Sequence, residues 1–288
     1  MLLPTFTATT TAGEVAAAFV DQIHGRNVLI TGTSIDGVGF EAARVLAKHV
    51  NLVIIAGYNA ERRLSEEAIK KEVPSANIRR LILDLSSLAA VRKAAAEVNT
   101  YPEPLHILIH NAAAGGGAFK LTVDGHESQV ATNHIGPFLL TKLLTPKLLA
   151  ARSENYTPRV VVVSSAAYDR VPFDLNTVAH PNPDTYTFFT IHTNLAKKEG
   201  NKDTLIALGL LTPDGLPNSD KFTWKTFGQG AATTVAAAFD TRLESKSGAY
   251  LVDCVEANDK IAPYCSDVDT AAKLWTITEE IVGEKFTL

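Results

Sequence analysis

Apolar residues recur along this chain in short runs, and each of the first four is followed by a stretch with helical spacing. The runs are Val28–Thr31, Leu52–Ala56, Arg80–Leu85, Leu105–His110 and Arg159–Ser165. A continuous run such as Leu-Val-Ile-Ile-Ala is what a strand covered on both faces requires. Helices are predicted over Gly13–Ile23, from about Gly39 through Glu41–His49, over Glu61–Glu72 until Pro74, over the alanine-rich Ser87–Val98, and over Glu127–Leu149. Strand and helix in alternation predict an α/β fold, a doubly wound parallel sheet with right-handed crossovers, in a single domain over residues 1–288. After the fifth run the pattern stops. Residues 165–188 carry Pro172, Pro181 and Pro183 and no amphipathic run. A parallel crossover needs a dozen or more residues, usually helical. An irregular loop is expected here instead, with an apolar sheet face left exposed.

Composition narrows the picture without naming a function. The 288 residues are 46% hydrophobic with a formal charge of −4, which offers nothing to nucleic acid or an anionic membrane. Cys254 and Cys265 are the only cysteines, and their spacing implies neither a disulfide framework nor a metal site. The eight histidines lack paired ligand spacing, so no metal is expected. No segment reaches the ~20 apolar residues of a membrane span. Met1–Val20 has no basic residue ahead of its apolar positions, so a signal peptide is not expected and the default compartment is the cytosol.

Chemistry enters at residues 27–40, where the first strand turns through three glycines into a helix. Gly32 permits a tight bend with positive φ, Gly37 lets the backbone approach a ligand, and Gly39 lets helix and strand come close. Amides and dipole at the helix start favour a pyrophosphate. A glycine turn alone is often only a turn, and its place between strand and helix favours a cofactor. The turn, Asp84, Asn111 and Ser165 all fall at strand C-terminal ends, where such sheets bind ligands. Asp84 reads equally as a helix N-cap region residue. Asn133, unfavourable in mid-helix, points to a specific job. His110, His134 and His192 read as packing or loop residues, and Tyr168 and Tyr186 as loop tyrosines.

These pieces together resemble the short-chain dehydrogenase/reductase family, most of all its fungal, retinol-dehydrogenase-like members. The matching text is Thr31-Gly32 with Gly37-Val38-Gly39, Leu83-Asp84-Leu85-Ser86, Asn111-Ala112-Ala113, Asn133-His134-Ile135-Gly136 and Val163-Ser164-Ser165. Gln229 to Thr234 and Gly248-Ala249-Tyr250-Leu251 extend the match. The resemblance implies a Rossmann-like domain in which Gly32, Ser34, Gly37, Val38 and Gly39 cradle the cofactor pyrophosphate. Asp84 with Leu85 would hold adenine, Asn111 and Ala112 would flank the cofactor, and Thr193 would also touch it. Asn133 would hold a water for proton relay, and Ser165 would hydrogen-bond the substrate oxygen. The implied reaction interconverts an alcohol and a ketone or aldehyde on a lipophilic small molecule, as in secondary metabolism. Gly57-Tyr58-Asn59 makes no choice between cofactors, while Arg62 and Arg63 lean to NADP with NAD still open.

The sequence departs from that family at its centre. The family uses a Tyr-x-x-x-Lys pair, in which the lysine lowers the pKa of the proton-transferring tyrosine. The seven tyrosines here are followed four places on by Arg62, Leu105, Val160, Pro172, Thr190, Cys254 and Val268. None has the lysine. Phe173–Asn176 and Thr185-Tyr186 still resemble the family, and Phe189–Leu195 resembles text that follows its next strand. The pattern reads as loss of the active helix and most of a strand. With that helix goes the family's usual dimer interface, so no oligomeric state is implied. A catalytically inactive dinucleotide-binding protein, a sensor or scaffold, is the alternative reading. The turn is also one residue longer than the family's commonest form, through Ile35-Asp36, and Asp36 would repel pyrophosphate unless it faces solvent.

Overall fold

The structure, a computed structural model, describes residues 3–58, 61–115, 118–165, 174–185, 206–207, 209–221 and 223–286. In chain order its main elements begin with α1 (Ala12–Ala18), α2 (Val20–Ile23), β1 (Asn27–Thr31), α3 (Val38–Leu46) and β2 (Leu52–Gly57). They continue with α4 (Glu61–Glu72), β3 (Ile78–Ile82), α5 (Leu88–Asn99), β4 (Ile107–His110), α6 (Ser128–Val130), α7 (Gly136–Leu149) and β5 (Arg159–Val162). Then come α8 (Leu175–Ala179), α9 (Phe227–Phe239), β6 (Leu251–Val252), β7 (Val255–Glu256) and α10 (Val268–Val282).

Five strands pair in parallel in the order β3-β2-β1-β4-β5, and β6 and β7 form a separate antiparallel hairpin. β1 lies at the centre, with Leu29 opposite Ile54 on one side and Leu108 on the other. All five of its residues are buried, as a doubly covered strand requires. Alternate side chains serve opposite faces. Val28, Ile30, Val53, Ile55, Ile109 and Val161 pack with residues of α1, α3 and α9. Leu29, Ile54, Ala56 and Leu108 pack with residues of α5 and α7. Each fully buried leucine or isoleucine contributes roughly 1.5–3 kcal/mol over leaving it in water. The two helical layers hold the sheet from both sides.

The first helix breaks in two at Phe19 (φ −119, ψ 25), whose ring packs edge-on against Phe6 at 5.9 Å. The long helix predicted over Glu127–Leu149 is interrupted by a π-helical turn, Ala131–Ile135, between α6 and α7. β3 and β5 stop short of their apolar runs, at Ile82 and Val162. The stretch after β5 was expected to be irregular, yet Leu175–Ala179 form a helix capped by Asp174, with Val178 buried. Five residues are too few to show a helical period. On β5, Val160 and Val162 are 43% and 68% exposed while Val161 between them is buried, so one face of this strand is apolar and open. Among the described residues no helix is long and apolar enough to cross a membrane, and no cluster of metal-ligand side chains occurs.

Candidate functional site

The parallel sheet brings the ends of β1, β3, β4 and β5 to one edge, and the sequence-predicted residues follow them. Beyond β1 the chain bends at Gly32, with φ +72. A Cβ there would lie 2.6 Å from Ala112 Cα, so the loop after β4 leaves no space for a side chain. Gly39 is closed from the same side, since its Cβ would fall 2.2 Å from Asn111 Nδ2 and 2.6 Å from the Gly32 carbonyl oxygen. Asn111 is the stitch. Its Nδ2 donates to the carbonyls of Thr31 and Gly32 at 3.0 and 2.9 Å. Thr31 Oγ1 accepts in return from the amides of Asn111 and Ala112 at 3.1 and 3.0 Å.

Gly37 is the N-cap of α3 in extended conformation, φ −125, so no positive φ requires its glycine. No side chain caps α3. The first-turn amides of a helix have no partners within it, and an anion is a natural acceptor for them. Glu41 in that first turn is drawn off by Arg44 at 2.7 Å. Ser34 and Val38 are half-buried and belong to the same turn. Asp36 takes φ +60 and is exposed, which meets the condition set by its charge. Thr33 is 2% exposed; its carbonyl accepts from Ser65 Oγ at 2.7 Å, and its own Oγ1 has no partner among the described residues.

The other positions take local roles that the sequence left open. Asp84 Oδ1 accepts from the amide and hydroxyl of Ser86 at 2.9 and 2.6 Å, shaping the turn, while the N-cap of α5 is Ser87. Leu85 is buried, and its carbonyl oxygen would lie 2.2 Å from a Cβ on Gly136, which explains that glycine. Asn133 sits in the π-helical turn, and its amide closes a two-way pair with Ala114: Oδ1 accepts from the amide and Nδ2 donates to the carbonyl, both at 2.7 Å. The side chain therefore positions the loop after β4, with one N–H and one lone pair left for anything else. Ser165 lies three residues past β5, half-buried. Thr193, Tyr168, Tyr186 and His192 lie outside the described residues.

The histidines pack. His110 Nε2 lies 2.8 Å from Thr141 Oγ1, and that hydroxyl donates to the Pro137 carbonyl, so Nε2 carries the proton and Nδ1 has no partner among the described residues. Burial pushes His110 down to about 4. His134 Nε2 meets Thr278 Oγ1 at 2.8 Å in the same manner and is also lowered by burial. Sequence reasoning missed Glu127, whose buried carboxylate caps α6 through the amides of Gln129 and Val130. Glutamate is not among the residues usually favoured at an N-cap, so the sequence carried no signal for this role. It also missed Ser65, which belongs to no motif.

Comparison with known proteins agrees with this geometry. A family model described as short chain dehydrogenase matches residues 26–177, more than half of the chain. The chain is 35% identical to short-chain dehydrogenase TIC 32 A, chloroplastic, of Brassica napus, over 91% of this chain and 90% of that protein. It is 29% identical to human polyprenol dehydrogenase, over 90% of this chain and 85% of that one. A solved structure of an uncharacterized protein from Mycobacterium Paratuberculosis shares the fold, with a TM-score of 0.62 and 24% identity over 99% of this chain and 100% of that one. The glycine turn stitched to β4, the parallel sheet and these matches have one explanation: the chain belongs to the short-chain dehydrogenase/reductase family.

Proposed function

We propose that this protein binds NADP, with NAD as the competing choice, and interconverts an alcohol and a ketone or aldehyde on a lipophilic small molecule. The observation that carries the reading is the turn from β1 into α3. Gly32 and Gly39 have no room for a Cβ, and among the described residues no side chain caps α3 and the buried Thr33 hydroxyl has no partner. Such a turn fits a pyrophosphate. Gly32, Ser34, Gly37, Val38 and Gly39 would hold it, Asp84 and Leu85 would border the adenine, and Asn111, Ala112 and Thr193 would line the remainder. When bound, the nicotinamide supplies or accepts a hydride. Ser165 would donate to the substrate oxygen and polarise it, from a position held by the end of β5. Support for a lipophilic substrate comes from a relative named for polyprenol and from the open valines of β5. The fungal resemblance favours secondary metabolism.

A second reading has its own observation. The sequence has no Tyr-x-x-x-Lys pair, and a proton must reach the substrate oxygen for turnover. This favours a dinucleotide-binding protein without turnover. Fluorescence titration with NADPH and NADH, followed by nucleotide oxidation against a panel of ketones and aldehydes, separates the two. The enzyme reading expects binding, turnover, and a loss on the order of 100-fold in Ser165→Ala, the scale of removing one oxyanion donor. Binding with no turnover on any carbonyl would establish the second reading. Absence of binding would overturn both.

A further inference from the structure

Resting on the dinucleotide reading, we infer that Ser65 is a positioning residue for the phosphate turn, aiming the Ser34 amide at the cofactor by holding the Thr33 carbonyl from behind. Ser65 lies on α4, on a segment no motif covers, and is fully buried. Its hydroxyl donates to the Thr33 carbonyl at 2.7 Å, across 32 residues of sequence.

In a planar trans peptide the C=O and the next N–H point in opposite directions. A carbonyl drawn inward therefore sends the following amide outward. Asn111 draws in the Gly32 carbonyl at 2.9 Å, which turns the Thr33 amide the other way. Ser65 does the same to the next peptide, Thr33–Ser34, from α4 rather than β4. Two successive peptide planes are thus fixed by two different elements. Thr33 has no other side-chain anchor among the described residues, because its hydroxyl finds no partner. The chain then passes into exposed Ile35 and Asp36, the latter at φ +60, where the turn is longest. An anion site pre-formed in this manner loses less on ordering when the ligand arrives. Without the Ser65 hydroxyl the buried Thr33 carbonyl has no donor among the described residues, and the plane rotates to find one.

The test uses the full chain with Ser65→Ala and Ser65→Thr, titrated with NADPH, ADP-ribose and adenosine 2′-phosphate. Ser65→Ala is expected to weaken NADPH and ADP-ribose, which carry the pyrophosphate, by roughly 10-fold, the worth of one well-placed hydrogen bond. Adenosine 2′-phosphate, which lacks it, should bind as to the unaltered chain. Ser65→Thr retains the hydroxyl and should retain the affinity. Equal weakening of all three ligands in Ser65→Ala would mark a merely structural serine and overturn the inference, as would no weakening of any. An unaltered chain that binds none of the three defeats the dinucleotide reading itself. Amide hydrogen exchange in the ligand-free protein then decides the clamp separately. Slower exchange at Ser34 in Ser65→Ala, as the released peptide plane turns that amide inward, supports it, and an unchanged rate ends it.

Discussion

At Gly39 a single methyl group is too much. An alanine Cβ would sit 2.2 Å from Asn111 Nδ2 and 2.6 Å from the Gly32 carbonyl oxygen, and neither neighbour is the free end of a flexible side chain. Asn111 is already committed to two carbonyls. Gly39→Ala must therefore push α3 off the sheet or break that pair. It should cost about 1–3 kcal/mol, the usual penalty of overpacking, read as a lower urea midpoint, and nucleotide binding should fall with it. This much was legible in the sequence, because a glycine at the strand-to-helix turn has few other reasons to exist. Asp84 was not: adenine binding and helix capping both fitted it, and the bonds to Ser86 show a third use, the turn before Ser87. Short polar side chains satisfy whichever backbone group is nearest, and sequence does not say which that is.

Elements were legible where periodicity is long and regular, and failed where tertiary contacts set an end or insert a residue. Strands β1, β2 and β4 lie close to their apolar runs, whereas β5 stops at Val162 although its apolar run continues into Val163. The π-helical turn Ala131–Ile135 was invisible to a 3.6-residue period, since the extra residue leaves the apolar pattern almost intact. Asn133 was its one outward sign, a poor mid-helix residue whose amide reaches Ala114 twice. Replacing it tests whether the turn exists for that contact. Asn133→Ala should lose about 1–2 kcal/mol, since Ala114 is only half-buried and water can take up part of its bonding. Hydrogen exchange should show the Ala114 amide released before any other change. An unaltered rate there would mean that the loop after β4 is held by Asn111 alone.

On the scale of the whole molecule, the sheet's two faces are sealed by two apolar clusters, and three histidines, His110 buried and His106 and His134 half-buried, are biased to the neutral form. His110 and His106 are pushed down to about 4, and His134 is lowered, in each case first by burial. Arg26 adds to the effect at His106, whose Nδ1 accepts from the Asn27 amide at 3.1 Å and cannot do so once protonated. Between the ordinary value of 6.5 and about 4 the unfolded chain binds protons that the folded chain refuses, so stability falls as pH falls through that window and is fully present above it. His110 alone should account for at most ~3 kcal/mol between those limits. His106 contributes less because solvent reaches it. Urea unfolding at a series of pH values should therefore show ΔG flat near neutrality and declining below about 6.5. His110→Gln, which can still donate to Thr141, should flatten that decline while leaving the neutral-pH value within ~1 kcal/mol. A slope unchanged by the substitution would mean that His110 is protonated in the folded state, and that the unpartnered Nδ1 finds an acceptor through it. The sequence predicted packing or loop roles for His110 and His134; that both pair through Nε2 with threonine hydroxyls depends on α7 and α10 arriving beside them, which no local pattern records.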